Sequence, residues 1–291
     1  MMNSGGQRMV PISVMIFTLN EAANLPSCLA SLEWCSEIIV VDSFSSDATP
    51  QICAAHGIRF FQNRFEGFGS QRNWALEHTH PAHAWILILD ADERVPPELA
   101  RELAEVAMSA PSDVAAFRVR RRFYMWGRWL RHSSLYPTWV VRFIRAGQVH
   151  YEDRGHAETQ IVQGRIADLQ HDLLDENLKG IDEWFERQNR YSSKDAEFEF
   201  ANASTGARIH ELFSSEPLVR RAAIKRIAAR LPARGLAYFL YSYLWRGGFL
   251  DGRDGFAFCR MRALYQSQVA LKLYDLRRRC TQVQPGSRGP S

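Results

Sequence analysis

A chain of 291 residues with 46% hydrophobic residues is long enough to bury a sizeable core, as one large domain or one domain with an appendage. Its five cysteines form no CxxC pair and are odd in number, which argues against a disulfide framework or a zinc site and favours a reducing cytosol. The start of the chain lacks the apolar core of a signal peptide, and the longest apolar stretch, near 235–250, is interrupted and too short to span a bilayer. We therefore expect a globular protein that does not cross a membrane unaided.

The net charge of +4 conceals an asymmetry along the chain. Residues 218–280 hold 14 Arg and Lys against three Asp, a net charge of +11, which leaves −7 for the rest of the chain. The basic character therefore belongs to the C-terminal quarter, where it suits contact with an anionic surface or an anionic polymer.

From residue 10 onward, apolar strands alternate with helices. Strands are predicted over 10–19, 37–43 and 58–62, separated by a helix that Asn24 caps and by a second helix that ends near His56. A β-α-β-α-β order is the signature of a parallel sheet flanked by helices, so the sequence predicts an α/β fold.

The most informative stretch is 84–93, where five large apolar residues run directly into Asp90, Asp92 and Glu93. A continuous apolar run of this length is typical of a strand covered on both faces, and open α/β sheets keep their ligands at the carboxyl ends of such strands. Three carboxylates within four residues favour a hard cation such as Mg²⁺ or Mn²⁺, with a substrate phosphate completing its shell. The alternative is an acidic loop that opens the next helix, near 96–99.

Two earlier strands also end in polar or acidic residues, at 18–21 and at Asp42. In a doubly wound sheet these two ends and the end of the 85–93 strand converge in one crevice. No GxGxxG follows the first strand and no GxxxxGK[ST] occurs anywhere, so neither the dinucleotide motif nor the P-loop applies. A nucleotide in this crevice must be held in another way.

An ordered set of motifs runs through this half of the chain: 16–21 (IFTLNE), 39–43 (IVVDS), 69–73 (GSQRN) and 89–92 (LDAD). In order and spacing the set resembles the family 2 glycosyltransferases, which have the GT-A fold. The resemblance implies a mostly parallel central sheet flanked by helices, a nucleotide-sugar donor, usually a UDP-sugar, and a Mg²⁺ or Mn²⁺ cofactor.

The resemblance also implies which residues would hold the nucleoside of the donor. Asp42 would accept a hydrogen bond from the base NH, usually of uracil, while Thr18 and Glu21 would line the base and ribose. The motif residues Asn20 and Asp47 belong to the same expected donor site. For Asp42 a helix cap remains the structural alternative.

The expected diphosphate and metal side of the donor site comes from the later motifs. Arg72 would meet the diphosphate, for which a guanidinium fork is well suited, with Asn73 beside it. Asp90 would hold the ribose or a metal-bound water, and Asp92 would ligate the metal, with His171 as a further candidate ligand. A surface ion pair is the structural alternative for Arg72.

Past Pro111 the chain changes character. The strand predicted over 114–124 is dense in arginine, and 125–132 and 140–144 continue with aromatic and apolar residues. Aromatics and arginines suit a sugar face and an anionic group on the acceptor, and sheet packing with snorkelling arginines explains the same pattern.

A sugar transfer that inverts the anomeric centre needs one base to take the acceptor hydroxyl proton. Here the chain is similar to a subgroup, the lipopolysaccharide core β-glucosyltransferases that modify heptose, which usually have a histidine directly before the glutamate. In this chain Ala157 intervenes between His156 and Glu158. The base therefore stays open between Glu158, Asp153 and Glu93, in that order of preference.

The remaining chain is predicted to be helical. A helix is expected over 175–200, and a basic amphipathic helix over 218–231 is followed by an apolar, aromatic segment at 236–246. These segments either lie on an anionic membrane surface or pack as a helical hairpin on the catalytic domain. Residues 281–291 are expected to be disordered.

Taken together, the sequence predicts a GT-A domain over 10–205, a helical basic region over 206–280 and a disordered tail. The expected function is an inverting, metal-dependent transfer of a hexose, preferably glucose, from a UDP-sugar to a lipopolysaccharide core or other lipid-linked saccharide. We expect this at the cytoplasmic face of a bacterial inner membrane, with peripheral contact to anionic lipid and no nucleic-acid partner. The alternatives are an exopolysaccharide or protein-glycan transferase, or a nucleic-acid-binding protein.

Overall fold

A computed structural model describes residues 9–155, 157–202 and 233–282. The basic helix predicted over 218–231 lies outside the described residues, and so do His156 and the part of the predicted tail after Gln282. Of that tail, Thr281 and Gln282 form the end of the last helix.

Strands and helices alternate through the first 110 described positions, as the sequence pattern predicts. Six strands then follow one another between residues 114 and 176, and the described residues from Gly180 onward are mainly helical. The strands are β1 (Val10–Thr18), β2 (Cys35–Asp42), β3 (Arg59–Gln62), β4 (Trp85–Asp90), β5 (Glu93–Arg94), β6 (Val114–Met125), β7 (Arg128–Trp129), β8 (Thr138–Arg145), β9 (Val149–Arg154), β10 (Ala157–Val162) and β11 (Arg165–Glu176). The helices are α1 (Leu25–Ala30), α2 (Thr49–Ala55), α3 (Phe68–His78), α4 (Pro97–Ser109), α5 (Gly180–Ala201), α6 (Arg234–Leu240) and α7 (Gly252–Gln282), with a π-helical turn at Tyr241–Trp245 and a 3₁₀ turn at Gly248–Asp251.

The described residues fall into two compact units. The first takes the chain up to Arg131 together with Leu135–Gly180, and the second takes His132–Ser134 and the described residues from Ile181 onward. The domain boundary predicted at 205/206 lies outside the described residues and stays a prediction. Helix α5 begins later than the predicted residue 175, because Asp175 and Glu176 still belong to β11.

The first unit is built on a sheet of mixed direction with the order β3-β2-β1-β4-β8-β6-β11-β5, and β7 pairs with β6. Strands β3, β2, β1 and β4 are parallel to one another. Strand β8 enters between β4 and β6 and is antiparallel to both. The predicted α/β class with a parallel sheet is confirmed, and the parallel part is its first four strands together with the β6–β11 pair.

Strand β4 shows why this sheet is stable. Its apolar residues are all buried, with Leu87 and Leu89 in the core on one face of the sheet and Ile86 and Ile88 in the core on the other. Each such side chain contributes roughly 1.5–3 kcal/mol when it leaves water. The chain can therefore turn polar only where the strand ends, and it does so at Asp90.

The second unit is held by a small helical core. Val269 and Leu273 of α7 pack with Ala196 of α5. The Tyr265 hydroxyl donates to Asp195 at 2.5 Å. Among the helices that the structure describes, none combines the length and apolarity needed to cross a bilayer.

Candidate active site

The carboxyl ends of three strands meet at one edge of the sheet. In the order β2-β1-β4, Thr18 lies opposite Asp42, and Phe17 lies opposite Asp90. The sequence motifs that end these strands are therefore neighbours in space, as the parallel topology requires.

Asp42 is fully buried where β2 ends. The Thr18 hydroxyl donates to its Oδ1 at 2.8 Å, and the backbone NH of Ser45 donates to its Oδ2 at 2.8 Å. The Ser45 hydroxyl donates to Oδ1 as well, at 2.5 Å. Thr18 and Asp42 therefore form one buried polar pair at the base of this edge.

Two further residues expected at the nucleoside side, Asp47 and Asn20, connect loops. Asp47 accepts from the backbone NH of Ala22 and Thr49, each at 2.9 Å, and these bonds outweigh burial and lower its pKa. Asn20 has a φ of 55° and accepts from the backbone NH of Ser46 at 2.8 Å. These contacts order the loops after β1 and β2 and so shape the edge of the site.

Glu21 has a partner that sequence reasoning missed. Lys179, just before α5, donates to Glu21 Oε1 at 2.5 Å and to the Leu19 carbonyl at 3.2 Å. Burial raises the pKa of Glu21 to about 7, although Lys179 acts against it. The only sequence signal was a lysine in a chain where nearly all basic residues are arginine.

A group of oppositely charged side chains lies at the end of β4, and we call it the buried charge cluster: Arg72, Asp90, Glu93, Arg142 and Asp175. Arg142 donates to Asp90 Oδ2 at 2.5 Å and to Glu93 Oε1 at 2.7 Å. Arg72 donates to Asp90 Oδ1 at 3.2 Å, and the backbone NH of Asp90 donates to Glu93 Oε2 at 2.9 Å. Each side of Asp90 thus faces one guanidinium.

The acids of this cluster differ in their proton affinity. Burial alone would raise the pKa of Asp90, but Arg142 and Arg72 outweigh it and hold the pKa at about 2. For Glu93 and Asp175 burial prevails over the nearby arginines and raises both pKa values to about 7. Asp90 is consequently a permanent anion, while its two neighbours titrate near neutrality.

Arg142 reaches the cluster because of a β-bulge. Phe117 of β6 pairs with Phe143 of β8, and the next residue of β6, Arg118, pairs with Val141. Arg142 lies between these two partners on β8 and has no partner on β6, so it is the extra residue of the bulge. Bulges of this kind redirect a side chain and are frequent beside active sites. Sequence reasoning missed this role, and the available signal was a single arginine inside the apolar run 140–144.

Arg72 joins the cluster to the preferred catalytic base. It is 3% exposed, forms an ion pair with Glu158 of β10 and faces the rings of Phe17 and Tyr151, each at 5.6 Å. Its Nε atom is buried and has no hydrogen-bond acceptor among the described residues. Arg72 therefore keeps one donor for a ligand oxygen, and Glu158 lies at the same edge as Asp90.

Asp153 and Asn73 hold α3 in place. The carboxylate of Asp153 accepts from the backbone NH of Gly69 at 2.7 Å and from Ser70, and so caps the first turn of α3. Asn73 donates to the Tyr151 carbonyl at 2.8 Å and accepts from the Tyr151 NH at 2.9 Å. Both predicted site residues thus bind the β9–β10 hairpin to the helix that carries Arg72.

The arginine-rich strand β6 is paired with β11. Arg118 forms a two-bond ion pair with Asp168, at 2.5 and 3.0 Å, and its guanidinium lies 4.9 Å from the Trp139 ring. Arg120 donates to the buried Asp172 at 2.6 Å and also faces Trp139. These contacts favour the packing explanation of the arginines.

The family model of glycosyl transferase family 2 matches residues 13–166, slightly more than half of the chain. The chain belongs to glycosyl transferase family 2. The match covers every strand end described above and, together with the observed sheet, confirms the predicted GT-A fold.

This glycosyltransferase is similar along most of its length to a curated relative. The relative is the lipopolysaccharide core biosynthesis glycosyltransferase LpsC of Rhizobium meliloti, with 29% identity over 91% of this chain and 93% of LpsC. The predicted resemblance to lipopolysaccharide core transferases is thereby confirmed at the level of the family and of this relative.

Two solved structures are similar in a more distant way. TarS residues 1–349 of S. aureus, in complex with UDP-GlcNAc, align over 92% of this chain and 91% of that one, with 16% identity and a TM-score of 0.43. Glucosyl-3-phosphoglycerate synthase of Mycobacterium tuberculosis, in complex with Mn²⁺, UDP and phosphoglyceric acid, aligns over 64% and 76%, with 17% identity and a TM-score of 0.42.

The donor set near the glycosyltransferase motifs fits a hard cation. Asp92 is half-buried and accepts from the Asn177 amide at 3.0 Å, while both oxygens of Asp90 face arginines. Within the described residues no three acids, histidines or cysteines form a ready-made metal cage. This arrangement fits Mg²⁺ or Mn²⁺ held by one carboxylate, with substrate phosphates and water as the other ligands.

The structure places His171, a further candidate in the predicted metal site, beside Glu102. Its Nδ1 lies 2.9 Å from Glu102 Oε2 of α4, and its backbone NH donates to the same carboxylate at 2.9 Å. On β11 the residue opposite Glu93 is Asp175. His171 lies four positions before Asp175, which is about 13 Å along an extended strand. His171 is therefore not brought to Asp90 and Asp92, because β11 carries it away from the strand ends.

Proposed function

We propose that this protein is an inverting, metal-dependent glycosyltransferase that moves a hexose, preferably glucose, from a UDP-sugar to a saccharide of the lipopolysaccharide core or another lipid-linked saccharide. The proposal depends on one observation. In a family 2 chain, a buried Thr18–Asp42 pair, Arg72, Asp90 and Asp92 converge on one sheet edge, and this set offers complementary groups to a base, a diphosphate and a cation.

The donor would lie across the ends of β1, β2 and β4. Asp42 would accept from the base NH, with Thr18 holding the carboxylate in place as it does now. Arg72 would donate its free Nε hydrogen bond to a diphosphate oxygen, an interaction for which a guanidinium is well shaped. The anion of Asp90, fixed between Arg72 and Arg142, would orient that guanidinium.

Asp92 would hold the cation. When bound there, Mg²⁺ or Mn²⁺ neutralises the charge that develops on the departing diphosphate. The amide of Asn177 orients the Asp92 carboxylate through its 3.0 Å hydrogen bond. Glu93 is fully buried and bound by the backbone NH of Asp90 and by Arg142, so its proposed part is to support the loop that carries Asp92.

Glu158 is the proposed base. Its ion pair with Arg72, the proposed diphosphate ligand, supports a position of Glu158 close to the reacting groups. When a diphosphate engages Arg72, the Glu158 carboxylate is released to take the proton of the acceptor hydroxyl. Asp153 already accepts hydrogen bonds from the first turn of α3, which makes it the weaker candidate.

The acceptor is proposed from the relationship to LpsC, whose name places it in lipopolysaccharide core biosynthesis. A lipid-linked acceptor implies work at the cytoplasmic face of the inner membrane with peripheral contact. An exopolysaccharide or protein-glycan acceptor is the alternative, and offering both kinds of acceptor with the preferred donor separates the two.

The test of the proposed function is UDP release from a panel of UDP-sugars, with Mg²⁺, with Mn²⁺ and with chelator. Release of UDP that needs a divalent ion and falls by about 100-fold or more in Asp92→Asn supports it. Asp168→Asn, in the exposed pair with Arg118, is the matched control and should retain activity. Calorimetry that detects no uptake of any UDP-sugar by folded protein, whichever ion is present, would overturn the proposal.

A further inference from the structure

The second unit exposes a row of large apolar side chains. Leu236, Leu240 and Leu244 recur every four residues along α6 and the π-helical turn, so they share one side, and Trp245 lies next to them. Their exposed fractions are 60%, 45% and 57%, and that of Trp245 is 84%. An apolar row this exposed is unusual for a surface that meets only water.

The opposite side of the same segment is fixed by packing. Gly235 and Ser242 are buried. A Cβ atom at Gly235 would collide with Ser267 and with the Ala263 carbonyl of α7, so the two helices approach closely there. The exposed row cannot rotate inward without losing this contact.

The apolar surface continues beyond the π-helical turn. Phe249 and Leu250 of the 3₁₀ turn are at least half exposed. The Phe256 ring of α7 lies 5.4 Å from the Tyr243 ring, and Tyr243 lies 6.2 Å from Phe249. These ring contacts join the three elements into one firm surface. We call it the apolar face, made of Leu236, Leu240, Leu244, Trp245, Phe249 and Leu250.

The exposed charged side chains of the segment that carries the apolar face are all basic. Between residues 233 and 262, Arg246, Arg253 and Arg260 are exposed. The two acids of this range are not exposed, and one of them, Asp251, accepts from the backbone and side chain of Ser133, each at 2.7 Å. The preceding sequence, 218–232, carries five basic residues and no acid. A partner that covers the apolar face therefore has to be anionic as well as apolar.

We propose that the apolar face docks on an anionic lipid surface. Its leucines and Trp245 would enter the boundary between headgroups and acyl chains, and the flanking arginines would meet lipid phosphates. Trp is well suited to this boundary because its ring is apolar and its NH is polar. The inference deepens the proposed function, on which it rests for the lipid-linked acceptor.

The test is flotation of the full chain with vesicles of phosphatidylcholine alone and of phosphatidylcholine with phosphatidylglycerol, at low and high salt. We expect binding to the anionic vesicles that salt weakens. Leu244→Ser/Trp245→Ser should lower the partition coefficient by about tenfold or more. Arg246→Gln/Arg253→Gln/Arg260→Gln should lower binding to the anionic vesicles by about 100-fold and leave binding to the neutral vesicles unchanged, since each surface cation contributes roughly a fivefold factor.

The matched control is Leu271→Ser/Tyr274→Ser, which removes a leucine and an aromatic residue of α7 that are 68% and 63% exposed. These two residues lie 15 and 18 positions beyond Phe256, about 22 to 27 Å along the helix, and their loss should leave vesicle binding unchanged.

Three results would overturn the proposal. They are equal binding to neutral and anionic vesicles, wild-type binding by Leu244→Ser/Trp245→Ser, and sedimentation that shows this face joining two copies of the chain without vesicle binding. UDP release without vesicles is measured on each variant, so the two proposals fail separately. If the chain floats with vesicles but releases no UDP, the lipid-docking proposal stands and the proposed transferase function fails. If it releases UDP but does not float, the transferase function stands and the lipid-docking proposal fails.

Discussion

The ion pairs at the end of β4 and those that join β6 to β11 use the same chemical groups in opposite surroundings. Arg142 is 5% exposed and shared by two acids, whereas the side chains of Arg118 and Asp168 are 46% and 40% exposed. Removing a charge from water costs several kcal/mol that an exposed pair does not incur. The costly arrangement thus lies at the proposed donor site, and the inexpensive one lies where two strands are joined.

The largest expected effect comes from Arg142→Met. It removes the guanidinium that Asp90 shares with the fully buried Glu93, so we expect the free energy of unfolding to fall by about 3–5 kcal/mol. Arg118→Met, matched in chemistry but exposed, should lower it by less than about 1 kcal/mol. Urea unfolding of the two variants measures both values, and equal losses would break the comparison.

The next effect is that of Gly67→Ala. A Cβ atom at Gly67 would overlap the Asp153 carboxylate, which caps α3. We expect a loss of about 1–2 kcal/mol in stability, because the cap must move, together with weaker donor binding, because α3 carries Arg72. Gly147→Ala, where nothing lies within 4 Å, is a control for donor binding. Unchanged donor affinity in Gly67→Ala would show that Arg72 does not depend on this cap.

The pH dependence of the free energy of unfolding should also distinguish the buried charge cluster from the exposed ion pairs. Burial raises the pKa of Asp175 to about 7, so the folded state holds a proton that the unfolded chain releases near pH 4. The free energy of unfolding should therefore fall as pH rises from about 4 to about 7. Asp175→Asn removes this contribution, so the urea midpoints at pH 5 and pH 8 should lie closer together in the variant than in the wild type. Asp113→Asn should leave that difference unchanged, since Arg165 lowers the pKa of Asp113 and both states are ionised at these pH values. A wider difference in Asp175→Asn would contradict the argument.

The smallest expected effect is the coupling between Arg118 and Asp168. A double-mutant cycle with alanine should give about 0.2–1 kcal/mol at low salt and less at 1 M salt, where the Debye length is about 3 Å. A coupling that survives high salt would place this pair with the buried cluster instead.

Much of the sheet edge could be predicted from the sequence. The apolar runs before Thr18, Asp42 and Asp90 indicate parallel strands, and parallel strands bring their carboxyl ends together whatever the loops do. The resemblance to family 2 glycosyltransferases singled out Arg72 and Glu158, and in the structure these two side chains form an ion pair.

The misses have a common physical cause. Arg142 reaches Asp90 because β8 enters the sheet between β4 and β6, out of sequence order, and no local pattern encodes that insertion. Asn73 and Asp153 stay predicted site residues, but the sequence did not indicate that each of them also joins the β9–β10 hairpin to α3. Side chains that join distant segments are predictable in type but not in partner.

Because β8 carries a single extra residue, its length determines where the Arg142 side chain points. Removing one residue there would preserve composition, hydrophobicity and strand propensity. It would also turn the guanidinium of Arg142 to the other face of the sheet, because successive side chains of a strand alternate. An engineered or natural variant of this fold can therefore exchange most residues of β8 more safely than it can lose one.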